Sequence, residues 1–275
     1  MNYKLMMTGL LSLQMLFTKT SWDPTAKAMN GKTVAAEINN VPEEIKNSCK
    51  PTKLINVPYI NQNDIVYGCE AVSSTMLLQY YGYEISEKDF TDKYLIKKDW
   101  FVKSGHMHGP DPHATYAGNP YESSGKNFGF GIFAPGTAKS IDKVVDTKKH
   151  KTKITTGMNL IDLIKNYIDK DIPVLIWATM DMKETSPGRS WIINYVDENS
   201  PYKIGDTFTW MKGEHCLVLV GYDDNNYYFN DPYKNHGVIP YEKKLVNQRF
   251  LELGKQSVVI LEKSLEVPLE EQLEE

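Results

Sequence analysis

The residue best placed for covalent chemistry is Cys69, which follows Gly68 and opens the run CEAVSSTMLLQYY. The spacing of apolar residues predicts a helix from Cys69 to Tyr81, stopped by Gly82. A thiol at a helix N-terminus and beside an imidazolium is expected to ionise well below its usual pKa. His215 lies 146 positions further on, after Gly213 and Glu214, at the head of the strand-forming run HCLVLVGY. It suits the proton acceptor that a thiol nucleophile needs. Asp231, 16 residues past His215, is a candidate to fix the imidazole tautomer. Gln62 stands seven residues ahead of Cys69. Its amide N–H2 and the Cys69 backbone N–H could converge on one oxyanion. Gly68 and Glu214, next to the nucleophile and the base, are expected beside the substrate. Taken singly, each has a plainer reading: a buried core cysteine, a structural histidine, a turn aspartate, a solvated glutamine.

The Asp231 assignment depends on strand register. His215–Tyr222 and Tyr227–Asp231 flank the turn residues Asp223-Asp224-Asn225-Asn226, the pattern of a hairpin. A regular four-residue loop would pair Tyr222 with Tyr227. Asp231 would then lie opposite Val218, on the other side of the sheet from His215. The catalytic reading therefore predicts an odd loop or a bulge, with Asn225 a natural left-handed residue.

The elements that must position these residues follow along the chain. Lys53–Tyr59 is strand-like, with Pro58 at its end. The cysteine helix is apolar on most sides, which predicts a central, buried element. Ser86 begins a second helix reaching Leu95. Residues 97–137 carry many Gly and Pro and read as a functional loop or lid that covers or lines the substrate cleft. Helices are expected over 137–145, after Thr156 or Gly157, and over 241–253. Strands are expected over 172–179, 191–195, 207–211 and 257–261. Helices first and strands later argue for an α+β fold with an antiparallel sheet.

The chain has 275 residues, enough for one sizeable domain. A formal net charge of -4 supplies no basic field for nucleic acid or anionic lipid. Residues 5–17, LMMTGLLSLQMLF, are too short an apolar run to cross a bilayer and have the length of a signal-peptide core. Ala26-Lys27-Ala28 is a candidate cleavage site. The expected organisation is a signal peptide over 1–28, a polar arm or linker over 29–52, the catalytic domain over 53–263 and an acidic tail over 264–275. Three cysteines leave at least one thiol free. Cys216 reads as a small buried hydrophobe, and a bridge between Cys49 and Cys216 stays open.

The segments QNDIVYGCEA, GEHCLVLVGYDD and YYFNDPY resemble the bacteriocin-processing-type cysteine peptidases of the papain superfamily. The glycine-rich stretch HATYAGNPYESSGKNFGFGIFAPG is similar to the stand-alone secreted branch often called double-glycine-peptidase-like. The likeness covers roughly Val57 to Tyr233. It implies a papain-like fold, with the cysteine helix packed on the antiparallel sheet that carries His215. It also implies Cys69 as nucleophile, His215 as base, Asp231 as orienter and Gln62 in the oxyanion hole. The order and separation of Cys69 and His215 suit such enzymes, where roughly 130–150 residues intervene. The expectation is a secreted bacterial enzyme hydrolysing peptide bonds in a peptide or protein substrate. No cofactor, no nucleic-acid partner and no stable membrane insertion after signal cleavage are expected. Glu70-Ala71 stands where many relatives carry glycine after the cysteine. The sequence holds no nucleotide-binding motif of the transporter-fused enzymes, so their leader-peptide substrate is not implied.

Three other readings stand beside this one. His106, His108 and His113 with Asp111 could hold a metal in the 97–137 segment, although no HExxH accompanies them. A non-catalytic secreted binding module could use a papain-like scaffold. An amidase acting on cell-wall peptides could use the same thiol.

Overall fold

The computed structural model describes residues 51–198 and 200–263. The expected signal peptide, the polar arm up to residue 50 with Cys49, and the acidic tail lie outside the described residues.

A short strand β1 (Lys53–Leu54) leads through an extended stretch to helix α1 (Cys69–Tyr80). Residues Cys69 through Leu78 are all buried, as the all-round apolar pattern predicts. The helix ends in a Schellman arrangement. The Tyr83 N–H donates to the Leu78 carbonyl at 3.1 Å and the Gly82 N–H to the Gln79 carbonyl at 3.0 Å, with Gly82 at φ +80°. Two buried hydroxyls inside α1 find partners, while that of Ser74 has none among the described residues. The Ser73 hydroxyl donates to the Cys216 carbonyl at 3.0 Å, and Thr75 donates to its own helix at Ala71. The helix start expected at Ser86 is present: the Ser86 hydroxyl accepts from the Asp89 N–H at 3.0 Å. It opens α2 (Glu87–Asp89), which runs into a wider π-type turn at Phe90–Tyr94.

The segment expected as a loop or lid is largely structured. It holds β2 (Lys97–Lys98), β3 (Phe101–Lys103), β4 (His106–Pro110) and β5 (Tyr116–Ala117), and it leads into α3 (Ala134–Asp142). Tyr116, Ile132 and Ala134 are fully buried, so this stretch is a wall of the domain rather than a cover. Its glycines mislead a composition-based reading because some serve close packing. A side chain at Gly118 would collide with the Phe128 carbonyl, and one at Gly131 with Glu70 and Trp210.

The remaining elements are β6 (His150–Ile154), α4 (Leu160–Asn166), β7 (Val174–Thr179), β8 (Pro187–Tyr195), β9 (Thr207–Met211), β10 (Glu214–Tyr222), β11 (Asn226–Asp231), β12 (Gly237–Glu242), α5 (Lys243–Glu252) and β13 (Ser257–Glu262). The main sheet runs β12-β11-β10-β7-β13-β6, antiparallel throughout, and β1 also pairs with β10. Its two central strands, β7 and β10, are buried along nearly their whole length, and α1 packs on β10. A second sheet runs β3-β4-β8-β9. An aromatic cluster packs the second sheet on the segment leading into α3: Phe133 stacks on Trp210 at 5.3 Å and Trp191 tilts onto Phe130 and Phe208 at 4.8 Å. The Trp177 indole N–H, buried on β7, donates to the Ile132 carbonyl at 3.0 Å. The α+β architecture with an antiparallel sheet is as expected. Among the described residues, no helix is long and apolar enough to cross a membrane.

Candidate active site

Glycine at position 68 lets the chain turn sharply into α1. Its N–H donates to the Ile65 carbonyl at 2.8 Å, and a Cβ there would collide with the Ile65 side chain. Cys69 is thereby the first residue of α1 and only 7% exposed. Gln62 is held near the other half of the site by its backbone, whose N–H donates to the Pro232 carbonyl at 2.8 Å. The Gln62 amide nitrogen donates to the Val66 carbonyl at 2.8 Å. That leaves its second N–H for another acceptor.

His215 and Asp231 come from adjacent strands. Tyr222 pairs with Tyr227, as in a regular four-residue loop. The register then shifts: Gly221 faces Tyr228 while Leu219 faces Phe229, leaving Val220 as an extra residue on β10. Val218 consequently faces Asn230. Continuing that register sets Asp231 opposite Leu217, on the same face as His215. Of the two devices that the sequence argument allows, an odd loop or a bulge, the structure has the bulge. Asn225, however, is not left-handed. The turn is held instead by Asp223, whose carboxylate accepts from the N–H groups of Asn225 at 2.7 Å and Asn226 at 2.6 Å.

The His215 Nε2 lies 2.7 Å from Asp231 Oδ1, with both side chains buried. Asp231 also accepts from the Tyr233 N–H at 2.9 Å and the Tyr241 hydroxyl at 2.8 Å, and His236 Nδ1 lies 3.2 Å from its second oxygen. Burial alone would raise the Asp231 pKa. The hydrogen bond and charge of His215, with the Tyr233 and Tyr241 donors, outweigh it and lower the value to about 2. With Nε2 turned to the carboxylate, Nδ1 is the ring nitrogen left for the cleft. Tyr233 packs edge-on to the imidazole at 5.9 Å.

Cys69, Gln62, Glu214 and His215 line one cavity of about 270 Å³, walled on other sides by Phe130 and Trp210. Gly68 sits directly behind Cys69, at the head of α1. The six residues singled out from the sequence are therefore brought to one place. The thiol's electrostatics differ from expectation. Burial raises the Cys69 pKa well above the usual thiol value, and Glu70 and Glu214 raise it further. The Cys69 thiol donates to Glu70 Oε2 at 3.4 Å. Burial also lifts the Glu70 carboxyl to about 7 and Glu214 well above the ordinary range. Neither the Glu70 contact nor the supports of Asp231 were found from the sequence. The available signal was an acid at the second position of an otherwise buried helix, with another acid just before His215.

The proposed metal-binding histidines do not converge. His106 is exposed, His108 stacks on Phe101, and His113 bonds the buried Asp111 through Nδ1 at 2.8 Å. Asp111 also accepts from Ser200, so it serves as an anchor for neighbouring segments. Cys216 is buried and free, as a small core residue.

A buried helix opening on a cysteine, packed on an antiparallel sheet that carries a His–Asp pair, defines the papain-like class of α+β folds. Within that class the chain belongs to the Peptidase_C39 like family, whose profile matches residues 54–258. It is 25% identical over 224 residues to the uncharacterised protein YvpB of Bacillus subtilis (strain 168), covering 80% of each chain. The crystal structure of a Bacillus anthracis protein assigned to the C39-like peptidases superposes with a TM-score of 0.62 at 25% identity, covering 77% of this chain and 98% of that one. The peptidase domain of Streptococcus ComA is a more distant likeness, with 11% identity and a TM-score of 0.41 over 75% of this chain and 98% of that one.

Proposed function

We propose that this protein is a cysteine peptidase in which Cys69 is the nucleophile, His215 the base, Asp231 the orienting acid and Gln62 an oxyanion donor. The observation that carries this reading is the buried His215–Asp231 pair at 2.7 Å, whose imidazole shares one cavity with a thiol at a helix N-terminus. The Cys69 proton passes to His215 Nδ1, and Sγ attacks the scissile carbonyl carbon. As the S–C bond forms, the carbonyl electron pair moves to oxygen, which the Cys69 N–H and the Gln62 amide receive. The imidazolium returns its proton to the leaving amine as the C–N bond breaks, leaving a thioester. Water then attacks the thioester carbon, gives its proton to His215, and expels the sulfur. Asp231 holds the tautomer with Nε2–H throughout, and its depressed pKa keeps it ionised.

The cleft is walled by Tyr67, Phe130, Met180, Trp210 and Tyr233, a mostly apolar groove suited to a peptide chain. Gly68 and Glu214 lie beside the substrate in this reading. The apolar run over 5–17 supports export, with the enzyme acting outside the cell on peptides or proteins.

The test is cleavage of a peptide library by wild type and Cys69→Ala, read by mass spectrometry of the products. Hydrolysis is expected to disappear in the variant with the thermal midpoint nearly unchanged. Equal cleavage by the two proteins would rule out the thiol mechanism.

A further inference from the structure

Two buried acids flank the thiol, and the hydrolytic mechanism above uses neither. Glu70 is fully buried and Glu214 is 8% exposed. One ligand-type atom from each of Cys69, Glu70 and Glu214 lies within 4.8 Å of the others. Glu70 is locked in place. Its Oε1 accepts the Ile132 N–H at 2.8 Å, and the absence of a side chain at Gly131 leaves room for that oxygen. Its Oε2 faces the Cys69 thiol at 3.4 Å. Glu214, on β10 immediately before His215, lines the cleft, and its buried Oε1 finds no hydrogen-bond partner.

Among the described residues, no Lys or Arg forms an ion pair with either acid. The titratable groups facing them are Cys69 on α1, Cys216 on β10, and Tyr116 on β5, whose hydroxyl donates to the Tyr67 carbonyl at 2.6 Å, while His215 lines the same cavity as Glu214. Two carboxylates this close, buried and without a cation, cannot both stay ionised, so they hold protons between them.

We propose that Glu70 and Glu214 are positioning residues whose carboxyl pair must hold its protons for the Cys69 thiolate to form, so that they set the alkaline limit of the thiol's reactivity. When the thiol proton passes to His215, the sulfur becomes negative, and the protonated Glu70 carboxyl turns its O–H to donate to it. The pair's proton count does not change in that step. When the pair loses protons, the Glu70 carboxylate accepts the S–H instead and holds the sulfur as a thiol. Burial places the Glu70 carboxyl at about 7. The reactive form is therefore present below that value and is lost as pH rises through it. The nearest negative charge disfavours the thiolate for the same reason that raises the Cys69 pKa itself.

The proposal rests on Cys69 being the nucleophile, but its test does not need hydrolysis. The iodoacetamide rate at Cys69 is measured across pH on the full chain, with the label located by mass spectrometry to separate Cys69 from Cys216 and Cys49. In wild type the rate is expected to fall between about pH 6 and about pH 8.5. Glu70→Gln keeps an acceptor for the Ile132 N–H and presents a neutral donor to sulfur. It is expected to abolish that fall and to exceed wild type about tenfold at the upper pH, since one unit in thiol pKa changes the thiolate fraction about tenfold. Glu214→Gln is the second variant, read in the same way should Glu70→Gln fail to fold. Folded variants with the wild-type profile, or with a rate lowered equally at every pH, would overturn the proposal. So would a wild-type profile changed by EDTA, which would put a cation where the pair's proton belongs. Peptide hydrolysis surviving Cys69→Ala would instead strike the functional reading and leave this labelling result standing.

Discussion

Asp231 meets His215 at 2.7 Å because β10 carries one residue, Val220, that β11 does not match. Without that residue, the pairing of Tyr222 with Tyr227 would run on regularly and set Asp231 on the opposite face. The bulge lies next to Gly221, where a side chain would collide with the Lys53 carbonyl of β1. The antiparallel pairing of β1 with the end of β10 and the register shift therefore fall at the same place, and the meeting of the two site residues depends on that shift.

Asp231→Asn is expected to lower kcat/KM by about 10³–10⁴, because an amide allows the wrong imidazole tautomer. The same variant should change acid stability in a definite direction. The folded-state pKa of Asp231 is lowered from 3.8 to about 2, so the unfolded chain binds the proton first as pH falls. Its contribution is full above about pH 4 and is lost as pH drops through about 2, amounting to about 2 kcal/mol. Urea titrations from about pH 5 to about pH 2 should show wild type losing that much more stability than the variant. Parallel losses in the two proteins would show that His215 does not hold the carboxylate's charge.

Gln62→Ala should reduce kcat by about 10²–10³ with little change in KM, since an oxyanion donor acts on the transition state. The thermal midpoint should move little, because the side chain's one hydrogen bond is to the Val66 carbonyl at 2.8 Å. A kcat within about threefold of wild type would remove Gln62 from the oxyanion hole and leave it as a brace of that turn.

Local pattern and parity make much of the site legible in the sequence. The apolar run after Cys69 predicts a buried helix, and Gly82 marks its stop. Counting residues between His215 and Asp231 shows that a regular four-residue loop fails, so an odd loop or a bulge is required. The position of the bulge was not legible, because nothing in VLVGY distinguishes Val220 until β1 packs against Gly221. The strands within 97–137 were not legible either. They are two to five residues long, below the length at which alternation speaks, and some of the segment's glycines serve close packing. Glu70 and Glu214 meet only through the packing of α1 on β10, a contact across most of the chain that spacing cannot report.

Gly68 ties local geometry to the thiol. Its φ of -109° is open to any residue, so space rather than backbone conformation demands glycine there. A methyl group would run into Ile65, which is 3% exposed and cannot move into solvent. Gly68→Ala is therefore expected to cost about 1–3 kcal/mol by overpacking. It should also lower kcat/KM, because the displaced turn carries Cys69 with it. Ile65→Ala removes the colliding branch. Alone it destabilises through a cavity. Combined with Gly68→Ala, it should cost clearly less than the two changes separately, the sign of direct contact between neighbours. Additive losses in denaturant titrations of the four proteins would mean that the glycine answers to something other than Ile65.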